Sequence, residues 1–319
     1  MSTAETYRVE WAPSPTGPWT NFTAAALALD EIVAKGSGIV TCSVPMCYRV
    51  VATVTNAAPS VPAGMVLIPG GTSSGTDPDF GAYSLTVSPF YMDRYEVTKA
   101  KWDEVYTWAI ANGYSFDHAG SGKAANHPVH TVSWYDVVKW CNARSQKEGH
   151  PAVYAAGGAV YKTGQSDNVV QSSAAGYRLP TDVEWEYAAR GGVANRRFPW
   201  GDSDEIQHTR ANYYSSSSYS FDTSPTRDYH PTYNDGTYPY TSPVGSFAAN
   251  GQGLHDMAGN VWEWCFGWYP GYEGSYRVVR GGGWSLIAYY CRVGDRSGNY
   301  PNSAYGLIGF RAVLPPGQQ

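Results

Sequence analysis

Three places in this chain carry residue types that could do chemistry. Glu184 and Glu186 are a carboxylate pair of the kind that serves as general acid and base. His127 and His130, in HPVH, could be metal ligands. The segment DMAGNVWEW (256–264) joins two acidic side chains to a glycine turn. The two glutamates stand two residues apart on an expected helix, about 200° around it, so they face different ways and cannot share a substrate. Glu184 reads as a helix cap and Glu186 as a structural carboxylate. The histidines have a proline between them and no third ligand nearby, so core histidines are the expected reading. The loop around Gly259 is the most suggestive: carbonyls turned inward, together with the Glu263 carboxylate, offer hard oxygen ligands suited to Ca²⁺. Its alternative is that Asp256 and Glu263 only hydrogen-bond loop amides. Five cysteines (42, 47, 141, 265 and 291) show no CxxC spacing, so a structural zinc site is not expected. Cys42 and Cys47 flank SVPM, and whether they pair is open. Trp200, Trp262 and Trp264 are expected as core pins.

The elements that must position these groups are sparse. Three helices are expected: one over about 98–113 with Trp102, Tyr106 and Ile110 along a face, one opening at Ser133 and one opening at Thr181. Ser133 with Asp136, and Thr181 with Glu184, have capping-box spacing; Gly191 and Gly192 end the third helix. Residues 1–58 read as a small β unit, with alternating β-branched runs at YRVEW and CYRVVATV. Residues 59–64 are a Pro/Ala-rich linker, and 65–319 form one large domain. Aromatic residues make up 15% of the 319 residues, with 12 Trp and 26 Tyr, while charged residues are also only 15%. That composition suits a loop-rich α+β fold pinned by rings rather than a helical bundle. A net charge of −5 argues against nucleic acid as a partner. No apolar run approaches the roughly 20 residues needed to span a bilayer. The N-terminus has neither the basic nor the apolar region of a signal peptide.

The segments MVLIPGG, FYMDRYEVTKAKW, HPVHTVSWYDVVKWC, YRLPTDVEWEYAARGG, FPWGD, GLHDMAGNVWEWC, RVVRGGGW and IGFRAVLP resemble, in order, the motifs of formylglycine-generating-enzyme-like (sulfatase-modifying-factor) domains. The resemblance covers about 65–315 and implies a C-type-lectin-like fold, with two helices and small sheets under an irregular loop surface. It also implies structural calcium. The first set of ligands would be Asp256, the carbonyls of Gly259 and Val261, and the Glu263 carboxylate. The second would be Asn212, the Tyr213 carbonyl, Asp235 and the Thr237 carbonyl. Formylglycine generation in this family uses two cysteines, five apart, just beyond GGGW, which take up copper. Here that stretch is SLIAYYCRVGDRSG, with Leu286 in the first position and only Cys291 following. A lone thiolate cannot supply the paired ligation, so no copper and no enzymatic activity are expected. Action as an oxidoreductase on protein cysteine is the alternative.

The window 285–307 contains no Lys, Glu, Gln, Met or Trp. Many relatives have asparagine-rich text here, and Ser, Leu, Ile, Tyr, Gly, Asp and Ala all arise from AAC or AAT codons by changing adenines alone. The pattern resembles the variable protein of a diversity-generating retroelement, in which an adenine-mutating reverse transcriptase rewrites the C-terminal part of a lectin-fold gene. The implied function is ligand binding, of receptor or adhesion type, through a hypervariable surface. Tyrosine would supply rigid amphipathic contact area, with Ser and Gly adding adaptability. The expected ligand-facing positions are Ser285, Leu286, Ile287, Tyr289, Tyr290, Gly294, Asp295, Ser297, Gly298, Tyr300, Ser303, Tyr305 and Gly306. Trp284, Arg292, Arg296, Asn302 and Phe310 would form the fixed frame. The partner would be an unknown protein or glycan, displayed to on a cell envelope or phage virion, with the N-terminal unit attaching to a larger assembly.

Overall fold

The computed structural model describes residues 61–316 continuously and, before them, 6–12, 16–17, 20–21 and 47–53. The chain divides into two compact units, Met1–Ser60 and Val61–Gln319. In the first, β1 (Thr6–Ala12) pairs antiparallel with both β2 (Thr20–Asn21) and β3 (Cys47–Thr53). The Cys42–Cys47 question lies outside the described residues.

The second unit is α+β. β4 (Met65–Ile68) is followed by the hairpin β5 (Gly71–Asp77) and β6 (Gly81–Val87), and then by β7 (Phe90–Asp93). β7 pairs antiparallel with β4 and with the last strand, β15 (Val313–Leu314), so the two ends of the unit meet in one three-stranded sheet. Helix α1 (Lys99–Ala111) is capped by Thr98, whose side chain accepts from the Lys101 amide. Its buried face is Trp102, Val105 and Ala109, while Ile110 is 48% exposed. The expected stripe 102/106/110 drifts about 80° over eight residues, so its last member leaves the core.

Helix α2 (Trp134–Lys147) opens with the Ser133/Asp136 capping box and is buried along most of its length. The Trp102 and Trp140 rings stack 5.8 Å apart, and Phe310 meets both edge-on. α1 and α2 are thereby joined to the C-terminal strand region through aromatic surface, which buries large area in few contacts. After the small sheet of β8 (Tyr154–Ala156), β9 (Ala159–Val160) and β10 (Val170–Gln171) comes α3 (Asp182–Ala189). This helix has the Thr181/Glu184 capping box and is followed by Gly191 and Gly192, both at positive φ.

The last sheet positions the window. β11 (Trp262–Trp268) pairs antiparallel with β12 (Arg277–Arg280). The chain then leaves β12 through Gly281 and Gly282, at φ 93° and 77°. A side chain at Gly282 would meet the Tyr290 carbonyl at 2.8 Å and Cys291 Sγ at 2.9 Å, so only glycine fits that turn. β13 (Ser297–Asn299) returns to pair with β12, and β14 (Ile308–Gly309) closes the sheet parallel to β11.

Candidate functional site

The window 285–307 is a long irregular excursion whose backbone is tied to the frame at many points. Trp284 is the main clamp. Its amide donates to the Asn260 carbonyl at 2.8 Å, and its indole Nε1 donates to the Gly306 carbonyl at 3.1 Å, joining the two ends of the window. Frame amides reach in as well: Tyr214 to the Leu286 carbonyl, Trp134 to Pro301, Thr131 to Tyr305 and Trp262 to Leu307, each at 2.8–2.9 Å. Arg292 Nε donates to the Tyr289 carbonyl at 2.7 Å, and Arg280 Nη1 donates to the carbonyls of Val293 and Asp295. Each buried carbonyl so held needs no help from its own side chain. The backbone of the window is thus held largely by frame groups, while some of its side chains, Leu286, Tyr290 and Val293 among them, also pack into the core.

The structure sorts the thirteen expected positions. Tyr300 and Tyr305 are exposed, at 54% and 56%. Ser285, Leu286, Ile287, Tyr289, Tyr290, Ser297, Gly298 and Gly306 are half-buried, whereas Gly294, Asp295 and Ser303 are buried. Leu286 and Tyr290 pack against the main core. Of the expected frame, Trp284, Arg292 and Phe310 are buried, but Asn302 and Arg296 are exposed. Arg296 is held to Asp182 at 2.7 Å.

Sequence reasoning missed the aromatic neighbours of the window. Tyr229, Tyr238 and Tyr240 surround Trp284 with ring centroids 4.6–5.7 Å from it. Tyr219 meets Tyr289 at 5.5 Å, and Tyr276 meets Tyr300 at 4.6 Å with their hydroxyls 3.1 Å apart. The available signal was seven tyrosines within 213–240, a local excess outside the window to which the sequence reading gave no role.

The first expected calcium set surrounds a buried charge cluster. Glu263 accepts from Arg311 through both oxygens, at 2.6 and 2.7 Å, and its Oε2 also accepts from the Trp185 indole at 2.6 Å. Asp256 Oδ2 accepts from the Gly245 amide, while its Oδ1 is buried without a hydrogen-bond partner. Burial pushes the Asp256 carboxyl up to about 6. Glu96, which lies in the FYMDRYEVTKAKW motif but was given no role there, accepts from Asn260 Nδ2 and the Val261 amide. Burial, and then the charges of Asp256 and Glu263, raise its carboxyl well above the usual range. Three carboxylates thus share one guanidinium.

The second set is divided. Asn212 and Gly259 are bridged, but Asn212 Nδ2 goes to the Tyr240 carbonyl and the Tyr213 carbonyl accepts from His208. Asp235 and the Thr237 carbonyl instead hold the Lys123 ammonium, at 2.7 and 3.1 Å. Among the described residues, no group of three or more His, Cys, Asp or Glu is arranged to hold a metal ion.

The remaining candidates are structural. Glu184 is the N-cap partner of Thr181 and pairs with Arg178 at 2.7 Å; Glu186 is buried between Arg190 and Arg280. His127 Nδ1 bonds Thr241, and His130 Nδ1 bonds Thr131. Burial, with His127 and Lys99 nearby, lowers His130 to about 4. Trp262 and Trp264 are buried, while Trp200 is half-buried beside Phe198. Cys291 is fully buried, and burial pushes its thiol up, so it is held away from the thiolate form.

A family profile described as a sulfatase-modifying factor enzyme 1-like domain matches residues 51–315. The formylglycine-generating enzyme of Thermomonospora curvata is 33% identical over 303 residues, covering 79% of this chain and 94% of that protein. A Bos taurus protein named inactive C-alpha-formylglycine-generating enzyme 2 is 30% identical over 291 residues, covering 80% and 90%. Among solved structures, Treponema denticola variable protein 1 superposes with a TM-score of 0.60 at 26% identity, covering 79% of this chain and 95% of that one. With its motifs in order and its architecture shared with a solved variable protein, this chain belongs to the sulfatase-modifying factor enzyme 1-like family, in its C-type-lectin-fold form.

Proposed function

We propose that this protein is a ligand-binding member of the family, in which the window 285–307 is diversified by a retroelement and meets a protein or glycan ligand. The observation that carries this reading is the Trp284 clamp: the window is fixed at both ends through backbone groups while Tyr300 and Tyr305 stand exposed. Such an arrangement accepts side-chain exchange at exposed positions such as Tyr300 and Tyr305 without refolding, and rigid tyrosines supply binding area at low entropic cost. Leu286 and the buried, protonated Cys291 support a non-enzymatic role, because copper ligation needs two thiolates. The test is genomic. A near-copy of the DNA for 285–307, carrying AAC or AAT at the substituted codons beside a reverse-transcriptase gene, is expected; finding neither sinks the reading.

The identity with formylglycine-generating enzymes favours a second reading, oxidation of a protein cysteine. Copper-dependent turnover of a cysteine-containing peptide would establish it; no turnover is expected.

One structural calcium ion is also proposed, at Asp256 with the Gly259 and Val261 carbonyls, the Glu263 carboxylate of the expected set being engaged by Arg311 and the Trp185 indole. The unpartnered Asp256 oxygen and the excess of carboxylates over guanidinium support it. In the second set, Lys123 already holds Asp235 and the Thr237 carbonyl, which disfavours calcium there.

A further inference from the structure

Among the described residues the β5–β6 hairpin is a sheet of two strands. Its register runs without a bulge from Gly71↔Val87 to Asp77↔Gly81, so each strand has one edge that the other does not cover. A single hydrogen bond tells which backbone groups lie on those edges. The Thr76 amide donates to Asn195 Oδ1 at 2.6 Å, outside the hairpin. Thr76 and its partner Ala82 are therefore a pair that exchanges no ladder bonds, and such pairs alternate along an antiparallel ladder. Ala82, Ser84 and Thr86 of β6 accordingly turn their N–H and C=O groups away from β5. Among the described residues these groups meet no other backbone.

This edge borders a cavity of about 560 Å³, which Gly81–Leu85 line along five consecutive positions. The remaining walls include Tyr269, Tyr289 and the window residues Gly294–Arg296. Ala82 and Ser84 are exposed, so the edge is open to a ligand. Natural edge strands are blunted by lysine, proline or a bulge, and β6, GAYSLTV, has none of these and no charge. The charges of the cavity are matched within the protein. Arg190 pairs with Asp77 and Glu186, Arg280 with Glu186, Arg292 with Asp79 and Asp295, and Arg296 with Asp182. The lining therefore selects no ion, and what it offers is backbone.

An unpaired strand edge is a template for another strand, and a third strand stabilises a ribbon of two. We propose that an extended, uncharged segment of a partner protein adds to β6 inside this cavity, pairing with the N–H and C=O groups of Ala82 and Ser84. At about 3.3 Å per residue, the five lining positions take a segment of about five residues. Side chains alternate along a strand, so every second one can meet the tyrosine wall. A glycan has no repeating N–H and C=O groups to match such an edge. The inference rests on the ligand-binding reading and narrows its ligand to a protein, because Tyr289 and Gly294–Arg296 make the edge and the window one continuous surface.

The test is to pan phage-displayed random linear nonapeptides on the full chain and to titrate the enriched peptides, resynthesised with blocked ends, by calorimetry. N-methylation at every second peptide residue is expected to weaken binding by at least about ten-fold, and at the residues between to change it little. Ser84→Pro deletes an outward N–H without touching a ladder bond and is expected to cost a similar factor. Ser74→Pro, on the opposite edge of the same cross-strand pair, is expected to leave affinity unchanged. No enriched peptide, enriched peptides indifferent to Ser84→Pro, or N-methylation losses without alternation overturns the proposal. Binding on a neutral glycan array that Ser84→Pro abolishes also overturns it, assigning the cavity to a sugar. If Ser84→Pro fails to fold by circular dichroism, the N-methylation pattern decides. Panning reads the edge and the template-DNA search reads the window, so each can fail alone.

Discussion

Glu263 and Arg311 form a bidentate ion pair with no exposure at either side chain above 1%, its bonds 2.6 and 2.7 Å long. Arg311 Nη2 also donates to the His255 carbonyl and Nη1 to that of Asp93, so one guanidinium ties β11, the end of β7 and the chain at His255 to the C-terminal strand region. Removing one partner leaves the other charge buried. Arg311→Ala is expected to lower stability by about 3–5 kcal/mol in urea unfolding. A loss below 1 kcal/mol would show that water or a counter-ion replaces the guanidinium.

The proposed calcium site is tested through the contrast between the two ligand sets. Calorimetry is expected to give one bound ion per chain, abolished by Asp256→Ala and unaffected by Asp235→Ala. Chelation should lower the thermal midpoint, because an ion that binds only the folded state stabilises it by mass action. A stoichiometry of two would mean that calcium displaces Lys123.

Frame and window should separate in a mutational comparison. Tyr300→Ser and Tyr305→Ser alter exposed rings and are expected to change stability by no more than about 0.5 kcal/mol. Trp284→Ala removes a buried ring and the bond to Gly306, for an expected loss of about 3–5 kcal/mol. Comparable losses at all three positions would refute the idea that exposed window positions are decoupled from the scaffold.

His130 gives a pH signature. Its ring titrates near 4 in the fold against 6.5 for the ordinary side chain, so the native state binds fewer protons. Its contribution to stability is complete above about pH 6.5 and is lost as pH falls towards 4. Asp256 and Asp295, raised to about 6, act with the opposite sign: their contribution grows as pH falls through the same range. The ring must therefore be followed directly by NMR, and a midpoint near 6.5 would contradict its burial.

What could be read in the chain itself was local. The Ser133/Asp136 and Thr181/Glu184 boxes close within three residues, so sequence spacing alone specifies them. The same holds for the opposed directions of Glu184 and Glu186, which helix geometry dictates. The ordered motifs identified the family, and the absence of Lys, Glu, Gln, Met and Trp marked out the window.

Tertiary structure decided which of those residues meet. Lys123 reaches Asp235 across 112 positions, and Glu96 reaches Asn260 across 164. No periodicity records such pairings, because loop closure places the partners and not the local backbone. The burial of Gly294, Asp295 and Ser303 inside a window expected to face outward has the same origin. Codon logic says only which residue types adenine changes could produce. Only the packing of the hairpin and α3 against the window determines that Asp295 lines a cavity while Tyr300 and Tyr305 face solvent.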